Sequence, residues 1–185
     1  MSNPRISPPD IPVIETERLR LRGHRIDDFD ALAAMWGDPV VARFIGGKPS
    51  TREEAWSRLM RYTGHWSLLG FGYWAVEDRS DGRYVGDIGF ADFKRDIEPS
   101  MEGLPEMGWA LSPSVHGRGY ATEAVAAALA WADAGFDSIP TACIIDPQNL
   151  ASIGVARKNG YLELARTTYK GEPSIMYRRE SGCGR

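Results

Sequence analysis

The sequence predicts a single α/β domain built on a mixed, mostly antiparallel sheet of about seven strands, flanked by about four helices. Three observations lead to this fold class. The 185 residues suit one compact domain. Segments with strand-like alternation and segments with helical periodicity follow one another, and a glycine-rich loop joins one strand to a helix. No repeat or linker divides the chain, so we predict one domain over residues 13–180, with a disordered proline-rich lead at 1–12 and a disordered polar tail at 181–185.

Local signals place the elements along the chain. Asp27 or Asp28 caps a first helix, and a second begins after Ser50 or Thr51, because glutamates follow in its first turn. The Asp-Gly pair at residues 81–82 indicates a hairpin. The predicted strands cover about residues 17–23, 72–78, 84–93, 106–111, 141–145, 161–168 and 174–179, and the predicted helices about 28–36, 51–69, 120–134 and 150–158.

The charge of the chain argues against a nucleic-acid partner. The 22 basic and 25 acidic residues are intermixed and leave a net charge of -3, which provides no field for a polyanion. The densest basic stretch holds Arg18, Arg20, Arg22 and Arg25, and leucines alternate with the first three. We interpret these arginines as the solvated face of a half-buried strand.

Cysteine usage and hydropathy predict a cytoplasmic protein without a membrane partner. Cys143 lies in an apolar run and Cys183 in the polar tail, so we expect no disulfide and a reducing compartment. No segment approaches the ~18 consecutive apolar residues of a membrane span. Cys143 has no adjacent histidine or cation and is interpreted as inert core rather than a nucleophile. His24 and His65 have no companions at metal-ligand spacing, so no metal site is expected.

The segment 116–123 carries the clearest chemical signal. Gly117 and Gly119 allow consecutive backbone N–H groups to converge, and the helix predicted from Tyr120 adds free amides and the positive end of its dipole. This glycine cradle, as we call residues 116–122, predicts a phosphate or pyrophosphate guest. Glycine pairs are common in loops, so the rest of the chain must identify the guest.

Five segments in order carry a family resemblance. They are residues 15–22, residues 106–109, the glycine cradle, residues 149–152 and residues 157–161. Together they resemble the GCN5-related N-acetyltransferases (GNAT family), and within it the branch of the ribosomal-protein alanine N-acetyltransferases. The resemblance spans about residues 15–179. It implies a V-shaped opening between the fourth and fifth predicted strands, acetyl-coenzyme A as cosubstrate, and a small-molecule amine or a protein N-terminus as acceptor. Dimers are common among such enzymes, so a homodimer is included among the expected partners.

The resemblance also implies which residues hold the cosubstrate. The fourth strand would pair its backbone with the pantetheine, and the cradle would surround the diphosphate, with Arg118 either contacting a phosphate or remaining solvated. The family loop has Arg or Gln where this chain has His116, which is shorter and mostly neutral at pH 7. Backbone amides must therefore do most of the binding. The residues implied for cosubstrate binding are Trp109, Ala110, Leu111, His116, Gly117, Arg118, Gly119, Tyr120, Ala121, Thr122, Asn149 and Ser152.

Two catalytic residues follow from the same resemblance. Glu106 matches the glutamate that deprotonates the acceptor ammonium, and a carboxylate whose pKa is raised toward neutrality by burial would suit this work. The alternative is a structural ion pair. Asn149 and Ser152 lie three residues apart at a helix start, where they either cap the helix or contact the pantetheine and the thiol. Ser152 is the candidate acid for the leaving thiolate, since residues 153–159 lack the tyrosine that many family members use.

The sequence leaves the acceptor and one rival function open. The loops around residues 36–50 and 94–104 would contact the acceptor, but their charges follow no diagnostic pattern. The six tryptophans are interpreted as mostly core, and the alternative for Trp36, Trp66 and Trp109 is that they line the acceptor pocket. The rival is a non-catalytic acyl-coenzyme A binding or sensing protein. A nucleotide-binding enzyme is excluded, because the chain has no Gly-Lys-Ser/Thr phosphate loop and no acidic residue at the spacing that holds a ribose.

Overall fold

The computed structural model describes residues 10–182. The predictions of disorder for residues 1–9 and 183–185, and of an unpaired Cys183, lie outside this range. The strands are β1 (Ile14–Glu15), β2 (Leu19–Arg22), β3 (Tyr73–Asp78), β4 (Tyr84–Ala91), β5 (Glu106–Leu111), β6 (Thr141–Ile145), β7 (Leu162–Tyr169) and β8 (Glu172–Arg179). The α-helices are α1 (Phe29–Trp36), α2 (Pro39–Ala42), α3 (Arg52–Leu69), α4 (Tyr120–Gly135) and α5 (Leu150–Lys158).

These strands form one sheet in the order β1-β2-β3-β4-β5-β6-β8-β7, which confirms the predicted mixed α/β fold. The short β1 raises the strand number from seven to eight, so the predicted fourth and fifth strands are β5 and β6. Every neighbouring pair is antiparallel except β5 with β6. The crossover through α4 imposes this parallel pairing, because a helix returns the chain to the same end of the sheet.

The parallel pair opens almost at once. β5 and β6 share a single registered pair, Glu106 with Ala142, whereas β6 pairs with β8 along its whole length. Beyond Glu106 the two strands therefore diverge toward their carboxyl ends. This divergence is the V-shaped opening that the resemblance implies.

The main core lies between the sheet and α4. Ala124, Ala128 and Ala132 are at most 2% exposed, because alanine lets the helix backbone approach the strands closely. Trp66 packs edge-on against Trp74, with ring centroids 4.8 Å apart, and it donates a hydrogen bond from Nε1 to the carbonyl of residue 73. Trp66 thus belongs to this core, which confirms the core interpretation, and it is not among the residues that line the cavity described below.

The basic strand is only partly a solvated face. Arg20 and Arg25 are exposed, but Arg22 is buried, and its guanidinium donates two hydrogen bonds of 2.7 Å to the carboxylate of Asp28. The solvated interpretation is wrong for Arg22, because the segment that precedes α1 places the carboxylate of Asp28 against its guanidinium. Alternation along a strand shows which residues share a face but does not show which loop covers that face.

Both ends of the described range contact the domain. Ile11 packs against the main core, and the indole of Trp74 donates a hydrogen bond of 2.8 Å to the carbonyl oxygen of Pro12. At the other end the backbone N–H of Gly182 donates to Asp133. No helix among residues 10–182 is both long enough and apolar enough to span a bilayer.

Candidate active site

The V-shaped opening leads into a cavity of 730 Å³ between the two halves of the sheet. Glu106 lies at the fork, and Asn149 and Ser152 lie at the start of α5 on the opposite side. Of the residues implied for cosubstrate binding, Trp109, Ala110, Asn149 and Ser152 line this cavity, whereas Leu111 and the glycine cradle lie outside its lining. The lining comprises residues 106–110, residues 143–146, Asn149, Ser152, Trp36, residues 43–47, Arg58, Tyr62, Tyr73, Phe93, Arg95, Tyr169, Lys170 and residues 172–174.

One edge of β5 is available to a ligand. β4 pairs with all six residues of β5, but β6 pairs only with Glu106. The peptide groups of residues 108–110 that point toward β6 therefore face the cavity rather than a partner strand. Backbone groups at such an edge can hydrogen-bond an extended ligand as a neighbouring strand would. This edge fits the amides of a pantetheine arm.

The glycine cradle has the backbone conformation that an anion site needs. Gly117 and Gly119 have φ angles of +73° and +81°, in the left-handed region that residues with a side chain rarely adopt. Gly119 is the N-cap of α4 and offers no side-chain cap, so the first N–H groups of the helix remain free for a guest. Residues 116–119 are exposed. The cradle therefore fits a pyrophosphate.

His116 binds the protein rather than pointing into the cradle. Its Nε2 lies 2.8 Å from the carbonyl oxygen of Leu111. A carbonyl oxygen can only accept, so Nε2 carries the proton and donates. The imidazole thus ties the cradle to the end of β5, a task for which a neutral side chain suffices. The same oxygen keeps a second lone pair for another donor.

Tyr120 contributes only its backbone to the cradle. Its side chain is buried, and its hydroxyl donates a hydrogen bond of 2.8 Å to Asp78. The guanidinium of Arg18 lies over the same ring at 4.7 Å and that of Arg118 at 4.9 Å. Two cations therefore lie next to the proposed diphosphate site.

Arg18 is a candidate for shaping the glycine cradle, although its place in an alternating strand led to its interpretation as a solvated residue. One of its terminal nitrogens donates a hydrogen bond of 2.7 Å to the carbonyl of Arg118, and another lies 3.4 Å from where a Cβ on Gly119 would be. Glu123 holds Arg18 in place through contacts of 2.6 and 2.7 Å. Arg18 also belongs to the segment 15–22 that carries the family resemblance, which is the signal that could have pointed to it.

We expect Arg18→Gln to weaken coenzyme A binding by roughly tenfold, because a hydrogen bond to a charged group contributes about 1.5–3 kcal/mol and this one holds the cradle in shape. Calorimetric titration with coenzyme A measures the effect. The matched control is Arg20→Gln, since Arg20 lies two residues away, is exposed and pairs with Glu15. Equal dissociation constants for the two variants would contradict this role for Arg18.

Glu106 is engaged by a cation that the sequence did not reveal. Arg95 donates to both carboxylate oxygens, at 2.5 and 2.7 Å, and Glu106 is only 7% exposed. The guanidinium lies over the rings of Phe93 and Tyr169, at 4.8 Å from each. Burial lowers the pKa of Arg95, but the hydrogen bonds that it donates to Glu106, the charge of that carboxylate and the contact with Tyr169 together outweigh burial and raise this pKa. Arg95 is therefore a permanent cation at the fork.

The ion pair between Arg95 and Glu106 is relevant to both interpretations of Glu106, as a general base and as a structural partner. An ion pair is present, as the structural alternative requires. Glu106 nevertheless lines the cavity at the fork of the opening. Since each oxygen already accepts one hydrogen bond, an acceptor ammonium must approach a remaining lone pair or be reached through a water molecule. The role of Glu106 as general base stays a prediction.

The start of α5 combines a cap with a cavity wall. Oδ1 of Asn149 accepts a hydrogen bond of 3.1 Å from the backbone N–H of Ser152, which confirms the helix-cap interpretation. The cap uses only this oxygen, so the side-chain amide nitrogen of Asn149 is the group that could reach a pantetheine. The roles of Asn149 and Ser152 toward a ligand stay predictions.

Two tyrosines in the cavity offer further hydroxyl groups that sequence reasoning missed. Tyr62 and Tyr73 stack face to face, with centroids 4.2 Å apart. Burial, followed by nearby charges and hydroxyls, raises the pKa of both phenols above the usual range, so both remain protonated at neutral pH. A Cβ on Gly108 would lie 2.0 Å from the hydroxyl of Tyr73, so only glycine fits at this point of β5. Tyr73 is therefore a second candidate proton donor beside Ser152.

A buried carboxylate holds one wall of the cavity in place. Asp87 is fully buried and accepts hydrogen bonds from Trp36 Nε1 at 2.8 Å, from the Tyr84 hydroxyl at 2.6 Å and from His24 Nε2 at 2.7 Å. Trp36, for which the acceptor pocket was the alternative to the core, does line the cavity. The partner of His24 is thus a carboxylate 63 residues away in sequence. Local spacing could not indicate it.

Cys143 lines the cavity but is a poor nucleophile. It is buried, and burial raises the pKa of its thiol well above the usual range, so the reactive thiolate is disfavoured. No cluster of three or more His, Cys, Asp or Glu side chains that could hold a metal ion occurs within residues 10–182.

Comparison with known proteins identifies the family. Residues 18–162 match the model of the acetyltransferase (GNAT) domain. The chain belongs to the GNAT family of acetyltransferases. This GNAT chain is also 32% identical to YkkB of Bacillus subtilis, a protein without a characterised function, over 174 residues that cover 90% of the chain and 94% of YkkB. It is 28% identical to the N-acetyltransferase p20 of Bacillus licheniformis, over 75% of each chain.

Solved GNAT structures share the fold. A GNAT-family acetyltransferase from Bordetella pertussis superposes with a TM-score of 0.80 at 28% identity, over 91% of this chain and 99% of that one. An acetyltransferase from Agrobacterium tumefaciens gives a TM-score of 0.78 at 27% identity, over 96% and 98% of the two chains. The ribosomal-protein acetyltransferase RimL, solved with coenzyme A, gives 0.76 at 17% identity over 94% and 100%, which shows a common fold.

Proposed function

We propose that this GNAT acetyltransferase moves an acetyl group from acetyl-coenzyme A to a primary amine by direct attack within a ternary complex. The observation that carries the proposal is the V-shaped opening, with a buried carboxylate at its fork and the glycine cradle beyond β5. The complex of RimL with coenzyme A supports the same ligand for a fold of this shape. The cradle would hold the diphosphate, and the free edge of β5 would pair with the pantetheine.

Four groups would share the chemistry. The reaction forms one carbon–nitrogen bond and breaks the thioester carbon–sulfur bond. The acceptor ammonium loses two protons, one before the attack and one as the amide forms, while the leaving sulfur gains one and the other passes to solvent. Glu106 would take the proton that is lost before the attack, directly or through water. Ser152 or Tyr73 would supply the proton that the sulfur gains. A peptide N–H on the free edge of β5 would stabilise the negative charge on the carbonyl oxygen.

A free-thiol release assay over a panel of small amines and peptides tests this proposal. We expect thiol release that depends on the amine and equals the amount of acetylated product. Direct transfer further predicts that Cys143→Ala keeps its activity and that intact-mass measurement finds no acetylated enzyme. Acetylation of Cys143 during turnover would contradict direct attack.

The rival function is non-catalytic acyl-coenzyme A binding or sensing. The observation in its favour is that Arg95 occupies both oxygens of Glu106. Tight binding of acetyl-coenzyme A without thiol release for any amine would support it.

The biological setting belongs to the same proposal. We propose a cytoplasmic enzyme whose acceptor is a small-molecule amine or a protein N-terminus, with no nucleic-acid or membrane partner and with a homodimer as the assembly to test. The intermixed charges of the chain support the absence of a nucleic-acid partner.

A further inference from the structure

The two walls of the cavity differ in charge. The wall built by α1, α3 and the segment between them contributes two charged lining residues, Arg43 and Arg58, and both are cations. The opposite wall, beyond β6 and around the turn from β7 to β8, carries both signs of charge: Asp146 and Glu172 are acidic and Lys170 is basic. The helical wall therefore carries positive charge without a carboxylate of its own.

Arg58 is the better defined of the two cations. It is half-buried, and its guanidinium carbon lies 3.5 Å from the ring centroid of Trp36. The indole is itself held by Asp87, so the planar guanidinium is supported by a rigid surface. The Nε atom of Arg58 is buried and has no hydrogen-bond partner among residues 10–182. Its polar neighbour, the Tyr62 hydroxyl, is neutral and leaves the charge uncompensated.

Other arginines in comparable settings are paired. Arg22 contacts Asp28, and Arg95 contacts Glu106, each through two hydrogen bonds. No carboxylate within the described range pairs with Arg58. Asp87 binds the Nε1 atom at the edge of the same indole, forms no ion pair with Arg58 and already accepts hydrogen bonds from three donors. A partly desolvated cation without an acceptor is costly, and a bound anion would remove this cost.

Resting on the proposed function, we propose that the acceptor carries a carboxylate in addition to its primary amine, and that Arg58 binds this carboxylate while Arg43 attracts it at the cavity mouth. Guanidinium and carboxylate match as planar, bidentate partners. Two sources share this chemistry, namely a free amino acid and a peptide N-terminus with an acidic side chain nearby. A polyamine, which brings only positive charge, is disfavoured by this wall.

Matched acceptor pairs test the proposal and separate the two sources. The first arm compares ω-amino acids of increasing length with their amides. The second compares alanyl-aspartyl amide with alanyl-asparaginyl amide, and spermidine serves as the cationic probe. Each probe is measured by thiol release from acetyl-coenzyme A and, independently of turnover, by the shift in Tm that it causes with coenzyme A present. We expect at least one carboxylate probe to exceed its amide by tenfold or more in kcat/KM.

Variants assign the preference to Arg58. Arg58→Gln should abolish the preference for the carboxylate member, whereas Arg52→Gln should keep it, because Arg52 lies on the outer face of α3 and pairs with Asp30. Equal use of both members of every pair by the native enzyme would overturn the proposal. So would an equal loss for both members in Arg58→Gln, or no Tm shift with any probe. A carboxylate-dependent Tm shift without thiol release would support the anion site while refuting the proposed acetyl transfer.

Discussion

Replacing Glu106 by Gln should lower kcat by about a hundredfold to ten-thousandfold, the range typical for removal of a general base. Glutamine keeps the size of the side chain and one oxygen that can accept from Arg95, but it cannot take a proton from the acceptor. The loss should appear in kcat, with coenzyme A affinity nearly unchanged. Steady-state thiol release and calorimetric titration of Glu106→Gln measure the two quantities.

The control for this variant must separate chemistry from stability. Removing a partner from a buried ion pair can cost about 3–5 kcal/mol, so the Tm of Glu106→Gln must be measured beside its activity. Glu172→Gln removes a carboxylate from the opposite wall of the same cavity and should keep kcat within a few fold. Full activity in Glu106→Gln would refute the base assignment and leave Glu106 as the structural partner of Arg95.

Replacing Gly119 by Val should abolish measurable coenzyme A binding. Gly119 has a φ angle of +81°, which a β-branched residue adopts only at a cost of about 1–3 kcal/mol, so the backbone of the cradle must move. The new side chain would also approach Arg18, whose terminal nitrogen lies 3.4 Å from the Cβ position. Calorimetric titration with coenzyme A measures the loss.

A second strained glycine provides the control. Gly70 ends α3 with a φ angle of +73°, has no atom within 4 Å of its Cβ position and does not line the cavity. Gly70→Val should therefore lower Tm by a similar amount and leave coenzyme A affinity intact. Unchanged affinity in Gly119→Val would show that the cradle does not hold the diphosphate.

The elements that the sequence predicted well are those with purely local causes. Helix α3, the second of the predicted helices, begins after Thr51 because Thr51 and Glu54 form a reciprocal capping box. Helix α4 begins at Tyr120 because Gly119 ends the preceding loop. The order of strands and helices likewise predicted the mixed, mostly antiparallel sheet. Each of these signals depends on neighbouring residues or on the order of segments along the chain, so the sequence alone reveals it.

The parts that were missed depend on contacts between distant segments. Arg95 lies in a polar loop without a pattern, and only the fold brings its guanidinium onto Glu106. Arg22 shares the spacing of the exposed arginines around it but faces Asp28. Trp66 and Trp36 both lie on helices, yet Trp66 packs in the main core whereas Trp36 lines the cavity.

The sequence by itself determined the fold class, the glycine cradle and the match of Glu106 and Ser152 to motifs that occur in the same order in the family. These features depend on backbone propensity, hydrophobic periodicity and short motifs, all of which are properties of neighbouring residues. Only the tertiary structure decided which charges are compensated. Glu106 is paired with Arg95, Arg18 with Glu123, and Arg58 has no carboxylate partner among residues 10–182. Electrostatic pairing depends on distances of a few ångströms between segments far apart in the chain, and these distances exist only after the sheet has formed.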